Sequence, residues 1–343
     1  TIFKKNHFAF LVLVWFLVPI LRVSLPKTSL YGGVRQVMEF LPPMAILAGI
    51  GVYSLFTFPK LVRRSAIVRK IVVAAILLSL LFVTYEMVRI HPNQNVYFNQ
   101  LIGGLAGARE KNIPYWGNSY GNAYWQAVKW INGNVEKDAR LALVQGTGLN
   151  IPTVQLRPDI EFSNNYWSGI FRQGEYLVEL TFDSRINPYP YAWEYIDKLL
   201  EPVHEVKADG VAIAKVWKND LEHTKMEYRK AEIKISDYKI SLNTNKIDIV
   251  FDKNVQITRA ILNYLPSTNC QGLSANVTTS LNGKDWTVEK ESIPIEQVAV
   301  HQLPSNASPF FFAARNLKYL RINANDKNSC LLKNSHFDIW ALE

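Results

Sequence analysis

The sequence predicts a multidomain chain: a polytopic α-helical membrane segment of three spans, then a small α/β domain, then an all-β sandwich. Three observations predict it. Residues 1–95 carry three long apolar runs, residues 96–222 alternate strand and helix patterns, and residues 223–343 read as short β segments throughout. The runs place the spans at about 8–25, 40–58 and 71–88. A span needs roughly 20 apolar residues at about 1.5 Å rise each. The second run has no charge. The first carries Pro19 and Arg22, and the third reaches Val88 past Glu86. A buried helix pair in a soluble core is the alternative, and three such runs so close together argue against it.

Orientation comes from the connections. Lys60, Arg63, Arg64, Arg69 and Lys70 fill the stretch between the second and third runs, which holds no acid. Cytoplasmic loops collect Lys and Arg. That connection is therefore expected inside, and Ser24 to Glu39 and everything after about Arg89 outside, as for an integral protein of a plasma (inner) membrane. The chain of 343 residues has a formal charge of +9. Because its densest basic run lies between apolar runs, a bilayer and not nucleic acid is the expected partner. The first residue is Thr and no cleavable leader pattern precedes the first run, so the chain is expected to begin inside a longer protein.

After Val96, the paired Gly103 and Gly104 suit a turn, and Ala123, Ala127, Val128, Trp130 and Ile131 share a helical face. "ARLALVQG" and "EYLVEL" read as strands, "YAWEYIDKLLEPVHEV" as helix then strand, and "GVAIAKVWKND" as the strand that ends the unit near Asp220. Gly146-Thr147-Gly148 lacks the third glycine and following helix of a dinucleotide site and reads as a tight turn. From Lys225 come "EIKISDYKISLN", "KIDIVFD", "ITRAILNYL", "SANVTTSLNGKDWTV", "FFFAAR", "LKYLRINA" and "FDIWALE". Asn282-Gly283 is a hairpin signal. Cys270 and Cys330 are the two cysteines. Outside the cytoplasm they could form a disulfide, and two buried thiols are the alternative. The sequons at Asn276 and Asn306 agree weakly with export. The histidines lack metal-ligand spacing, so no metal site or other cofactor is expected in this chain.

Three stretches carry a resemblance. "YGGVRQVMEFLPPMAILAGIG" (31–51), "HPNQNVYFNQLIGGLAGA" (91–108) and "YWGNSYGNAYWQAVKWIN" (115–132) resemble, in order, motifs of polytopic membrane glycosyltransferases of the GT-C superfamily. Those enzymes use dolichyl- or polyprenyl-phosphate sugars and are similar to protein mannosyltransferases and aminoarabinose transferases. The likeness covers about residues 8–220. Gly32 and Gln36 stand where the first motif has Asp and His. The family's catalytic acid lies in a first outer loop that nothing here matches, and three spans are fewer than its usual complement. The resemblance therefore implies a C-terminal portion of such an enzyme, inactive alone, and leaves any divalent metal to upstream segments. In the tail, "SLNGKDWT" and "LKYLRINAN…SC" look like parts of discoidin-like modules. Such modules are jelly-roll sandwiches that often bind sugars or lipid surfaces through loops at one end.

These transferases move a sugar from a lipid-linked phosphate to a glycan, lipid or protein hydroxyl. Arg35 is the candidate donor-phosphate contact, since guanidinium stays charged and grips phosphate through a planar fork. An interfacial arginine that only meets headgroups is the alternative. Glu39 is the acid of the first outer loop and a weak candidate base; a helical pair with Arg35 is the plainer reading. Tyr31 could line the lipid or acceptor path, against a belt tyrosine. Trp116 and Tyr120, with Tyr124 and Trp125, could face the acceptor, against packing in the α/β core. Trp286 reads as core. The competing function is a non-enzymatic, membrane-anchored glycan-binding protein. A transporter is disfavoured because no charge lies deep in the second or third span.

Overall fold

The computed structural model describes residues 7–25, 33–57, 65–119, 121–144, 150–182, 190–243, 246–263, 275–289, 303, 306–324 and 336–343, with the backbone alone at 33–36, 190, 275 and 324. The chain forms two compact units, residues 1–88 and 89–343.

In the first unit, helix α1 spans His7–Ser24, a 3₁₀ segment spans Gly33–Phe40, and helix α2 spans Leu41–Thr57. Helix α3 spans Ala66–Arg89. His7–Ser24, Val37–Thr57 and Ala66–Arg89 are each long and apolar enough to cross a membrane. Their apolar side chains point outward all round, as at Leu11, Leu78 and Leu81, a surface that in water would be costly. Pro42 and Pro43 fall in the first turn of α2, where a missing N–H breaks no helix bond. Helix α3 begins at Ala66, so Arg69 and Lys70 belong to it and not to the preceding connection. Long basic stems can carry their charge to an interface from a helix's first turns.

The second unit opens with short helix α4 (Gly104–Glu110) and helix α5 (Gly121–Asn134). Gly103 and Gly104, both at positive φ, make the expected turn, and the chain continues from it as helix. Five strands follow: β1 (Arg140–Ala142), β2 (Glu161–Phe162), β3 (Tyr176–Leu180), β4 (Pro202–Ala208) and β5 (Val211–Lys218). Their order is β2-β1-β3-β5-β4. Strand β1 is parallel to β2 and β3, and the other pairs are antiparallel. Alternation along the strands sends Leu141, Val178, Ala214 and Val216 to one face, where Ala123, Ala127, Val128 and Ile131 of α5 cover them. Ala142, Leu177 and Trp217 face the other side, against Ala192, Tyr195, Ile196 and Leu199 of helix α6 (Pro190–Leu199).

The sandwich has strands β6 (Glu232–Ile235), β7 (Tyr238–Asn243), β8 (Lys246–Asn263), β9 (Ala275–Ser280), β10 (Thr287–Glu289), β11 (Ala307–Ala324) and β12 (His336–Leu342). The order is β10-β9-β11-β8-β12-β6, with β7 also on β8. "KIDIVFD" and the first seven residues of "ITRAILNYL" lie in one 18-residue strand, and "FFFAAR" and "LKYLRINA" lie in another. The register of β11 on β8 shifts between Phe311 and Arg315 and between Leu317 and Tyr319. At such bulges a strand bends without ending, and Ala314 takes φ 48° there. Ile249, Ile257, Leu320, Ile322 and Ile339 form the buried core, each contributing about 1.5–3 kcal/mol by burial. Phe311, Ala313 and Leu342 pack with Tyr191, Tyr195 and Leu200, so one apolar cluster joins the sandwich to the α/β sheet. Lys198 Nζ strengthens this seam by donating to the carbonyls of Ala313 (2.7 Å) and Ala314 (3.1 Å).

Candidate functional site

Directly after α3, the motif segments 91–108 and 115–132 fold against each other. Asn93 is buried, and its Oδ1 accepts from Gln126 Nε2 at 2.9 Å. Asn122 Nδ2 donates to the Pro92 carbonyl at 2.8 Å. Ile90, Val96, Leu105, Trp116 and Tyr124 share one apolar cluster. The glycines are sterically required. A Cβ on Gly107 would lie 1.9 Å from the Ile102 carbonyl oxygen, and Gly104 has φ 65° with Asp209 Oδ2 beside it. Asp209 ties the unit together. Its carboxylate pairs with Arg89, the last residue of α3, and accepts the Leu105 N–H at 3.1 Å in the first turn of α4. The Arg89 hydrogen bond is the main cause holding the Asp209 carboxyl below its ordinary range, with the Leu105 N–H adding to it.

The predicted residues divide between the two units. The backbone at Arg35 lies in the 3₁₀ segment Gly33–Phe40. Glu39 pairs with Arg22 of α1 at 3.3 Å, both side chains more than half exposed. An i, i+4 pair belongs to α-helix; in 3₁₀ geometry positions three apart eclipse. Trp116 is 4% exposed, with the Arg109 guanidinium 5.8 Å from its ring centre. An acceptor platform needs an open face, so in this conformation Trp116 is core. Tyr124 is buried and Trp125 lies under Lys129 Nζ at 3.4 Å. Tyr31, Tyr120, Gly146-Thr147-Gly148, Cys270 and Cys330 lie outside the described residues. Among the described residues, no cluster of His, Cys, Asp or Glu could hold a metal ion.

Asp209 was missed by sequence reasoning. Asp209-Gly210 marks a turn, but nothing local announces its partners across 104 and 120 residues of chain. A second unforeseen feature is a buried polar knot behind β3. Glu175, 2% exposed, accepts from the Ser168 N–H (2.9 Å), Ser168 Oγ (2.8 Å) and Asn219 Nδ2 (2.8 Å). Tyr195 OH donates to Gly169 O at 2.9 Å beside it. Burial pushes the Glu175 carboxyl up despite these donors.

On the sandwich, a cleft of about 570 Å³ opens between β6, the bend of β8 and the end of β12. Lys230, Asp237, Lys253, Asn254 and Glu343 offer donors and acceptors around it. Gln256 is among its lining residues, and the Gln256 Oε1 is buried without a hydrogen-bond partner. Trp286 serves its own loop. Its Nε1 donates to Gly283 O at 3.2 Å, and the Arg321 guanidinium lies 3.8 Å from the ring centre.

No protein-family model matches the chain, and no curated protein matches it. Solved structures similar to part of it include CBM32-1 from a family 31 glycoside hydrolase of Clostridium perfringens. That match has 15% identity and a TM-score of 0.23, and covers 32% of this chain and 75% of the other. A truncated AlyQ with CBM32 and alginate lyase domains has 14% identity and a TM-score of 0.24, over 33% of this chain and 34% of its own. The family 32 carbohydrate-binding module of Streptococcus pneumoniae EndoD has 11% identity and a TM-score of 0.20, over 31% and 74%. The sandwich itself rests on the strand pairing above.

Proposed function

We infer that this chain is the C-terminal part of an integral-membrane glycosyltransferase. It serves transfer of a sugar from a polyprenyl-phosphate-linked donor to a glycan, lipid or protein acceptor outside a plasma (inner) membrane. Residues 1–95 form the membrane region, and 96–222 and 223–343 are extracytoplasmic. The observation that supports this best is the bonding of segment 91–108 to segment 115–132 immediately after α3: the residues that carry the family resemblance make one built unit. In the reaction the acceptor oxygen attacks the anomeric carbon. The bond from that carbon to the phosphate oxygen breaks, and the phosphate leaves with the electron pair. A base takes the hydroxyl proton. Upstream segments supply that base, and Arg35 steadies the charge growing on the phosphate.

The test is Arg35→Ala in the complete enzyme. Transfer from lipid-linked sugar should fall about a hundredfold at unchanged membrane levels, a loss expected for one charge-stabilising donor, and Arg35→Lys should recover part of it. Unchanged transfer by Arg35→Ala refutes the role. The second reading, a membrane-anchored glycan-binding protein, is favoured by the polar cleft on the sandwich. Saturable glycan binding by the chain, lost on Lys253→Ala with Asn254→Ala, would support it.

A further inference from the structure

Leu101 is 95% exposed, at the tip of the 3₁₀ turn Gln100–Ile102. A leucine so bare is unusual in a turn that is otherwise firmly built. Asn99 caps it, accepting the Leu101 N–H at 3.1 Å, and its carbonyl accepts the Gly104 N–H at 3.1 Å. Gly103, at φ 93°, then leads into α4. Tyr97, also exposed, precedes the turn. The same Asp209 carboxylate that binds the first turn of α4 pairs with Arg89. The turn is thus fixed, through one side chain, to the residue where the apolar helix Ala66–Arg89 ends.

We propose that Leu101, with the exposed Tyr97 just before its turn, is an interfacial anchor that enters the headgroup region of the bilayer crossed by α3. The inference rests on the membrane reading of α3 and is independent of the transferase reading. A bilayer fits better than a protein partner for two reasons. One leucine and one tyrosine make far too small a patch for a protein interface, which needs several hundred Å² on each side. They do suit a surface that demands no shape match, where tyrosines collect and leucines insert.

The experiment places an environment-sensitive fluorophore at Leu101→Cys, Val88→Cys or Val154→Cys in the full chain. Cys270 and Cys330 are replaced by serine, and the chain is reconstituted in phosphatidylcholine–phosphatidylglycerol vesicles containing spin-labelled lipid. Val154 is the matched control: 93% exposed and apolar, in the turn Thr153–Gln155. Its neighbour Gln155 is bonded to Asn132 at the opposite end of α5 from Asn122, which meets Pro92. The label at 101 should be blue-shifted and quenched severalfold more than that at 154. Quenching at 88 but no more at 101 than at 154 overturns the anchor and leaves the span intact. No quenching at 88 overturns the span, and the anchor with it. A blue shift at 101 without lipid quenching means that protein covers the leucine, which also overturns the anchor. A fluorescent amino acid inserted at the same positions, with both cysteines kept, repeats the reading should the serine background fail to fold.

Discussion

The α/β sheet and the sandwich solve the same packing problem with opposite chemistry. Behind β3 the sheet buries a carboxylate, a hydroxyl, an amide and a phenol in one hydrogen-bonded knot. The sandwich core is aliphatic and aromatic, and its carboxylates sit at the surface in pairs such as Asp248 with Arg321 (2.7 Å) and Lys246 (2.8 Å). Aliphatic packing tolerates substitution of similar volume, whereas a polar knot is satisfied in one arrangement. The sheet therefore fixes a loop, residues 168–174, while the sandwich fixes a shape.

The contrast can be broken first at Glu175. Glu175→Ala leaves Ser168 and Asn219 without their acceptor and should cost about 3–5 kcal/mol. Chemical unfolding of the detergent-solubilised chain measures this, and a loss below about 1 kcal/mol would mean that the knot relaxes freely. In the sandwich, Leu320→Ala should cost about 3 kcal/mol through its cavity, and Leu320→Met well under half of that.

The pH responses should differ in sign. Burial raises the Glu175 carboxyl, so the folded state holds its proton longer than the unfolded chain does. Its contribution is full below the ordinary carboxylate range and is lost as pH rises through the folded value. For Asp248, burial works against ionisation, but Arg321 and Lys246 together hold the carboxyl below its ordinary range. Its contribution is present above that range and is lost as pH falls through the lowered value. Hydrogen exchange should show the Leu177 amide loosening as pH rises above about 4 and the Leu320 amide loosening as it falls below about 4, after correction for intrinsic exchange rates. Glu175→Gln should flatten the first response and leave the second; equal flattening of both would remove the contrast. The smallest effect belongs to the rim: Lys246→Ala should change stability by less than about 1 kcal/mol, and less still in high salt.

Much of this architecture was legible because long apolar runs and β-branched alternation are local signals. The three long apolar helices and the strands at 176–180 and 211–218 follow from them directly. Sequence reading split β8 between Asp252 and Ile257, a stretch that opens with the three exposed residues Asp252, Lys253 and Asn254. The backbone stays extended there because β7, β11 and β12 hold the two halves. Asn282-Gly283 signalled a hairpin, and β9 and β10 pair antiparallel on either side of it. Their connection runs over residues 281–286, organised by Asn282 Oδ1 accepting the N–H groups of Lys284 (2.8 Å) and Asp285 (2.9 Å). The motif segments could be recognised in sequence, but their meeting through Asn93, Gln126 and Asp209 could not, since each contact joins residues far apart in the chain. The cleft was equally hidden, being assembled from three separate strands.

The last strand of the sandwich lies beside its first. Leu342 is opposite Glu232, and the Glu343 N–H reaches the Ala231 carbonyl at 3.1 Å. The sandwich is therefore a cassette whose two ends meet at one corner. Closing them into a ring would cost little loop entropy, and new termini could be opened at any exposed turn without disturbing the strand order. Such a module can be permuted in place, provided that the apolar seam through Phe311, Ala313 and Leu342 keeps its cover.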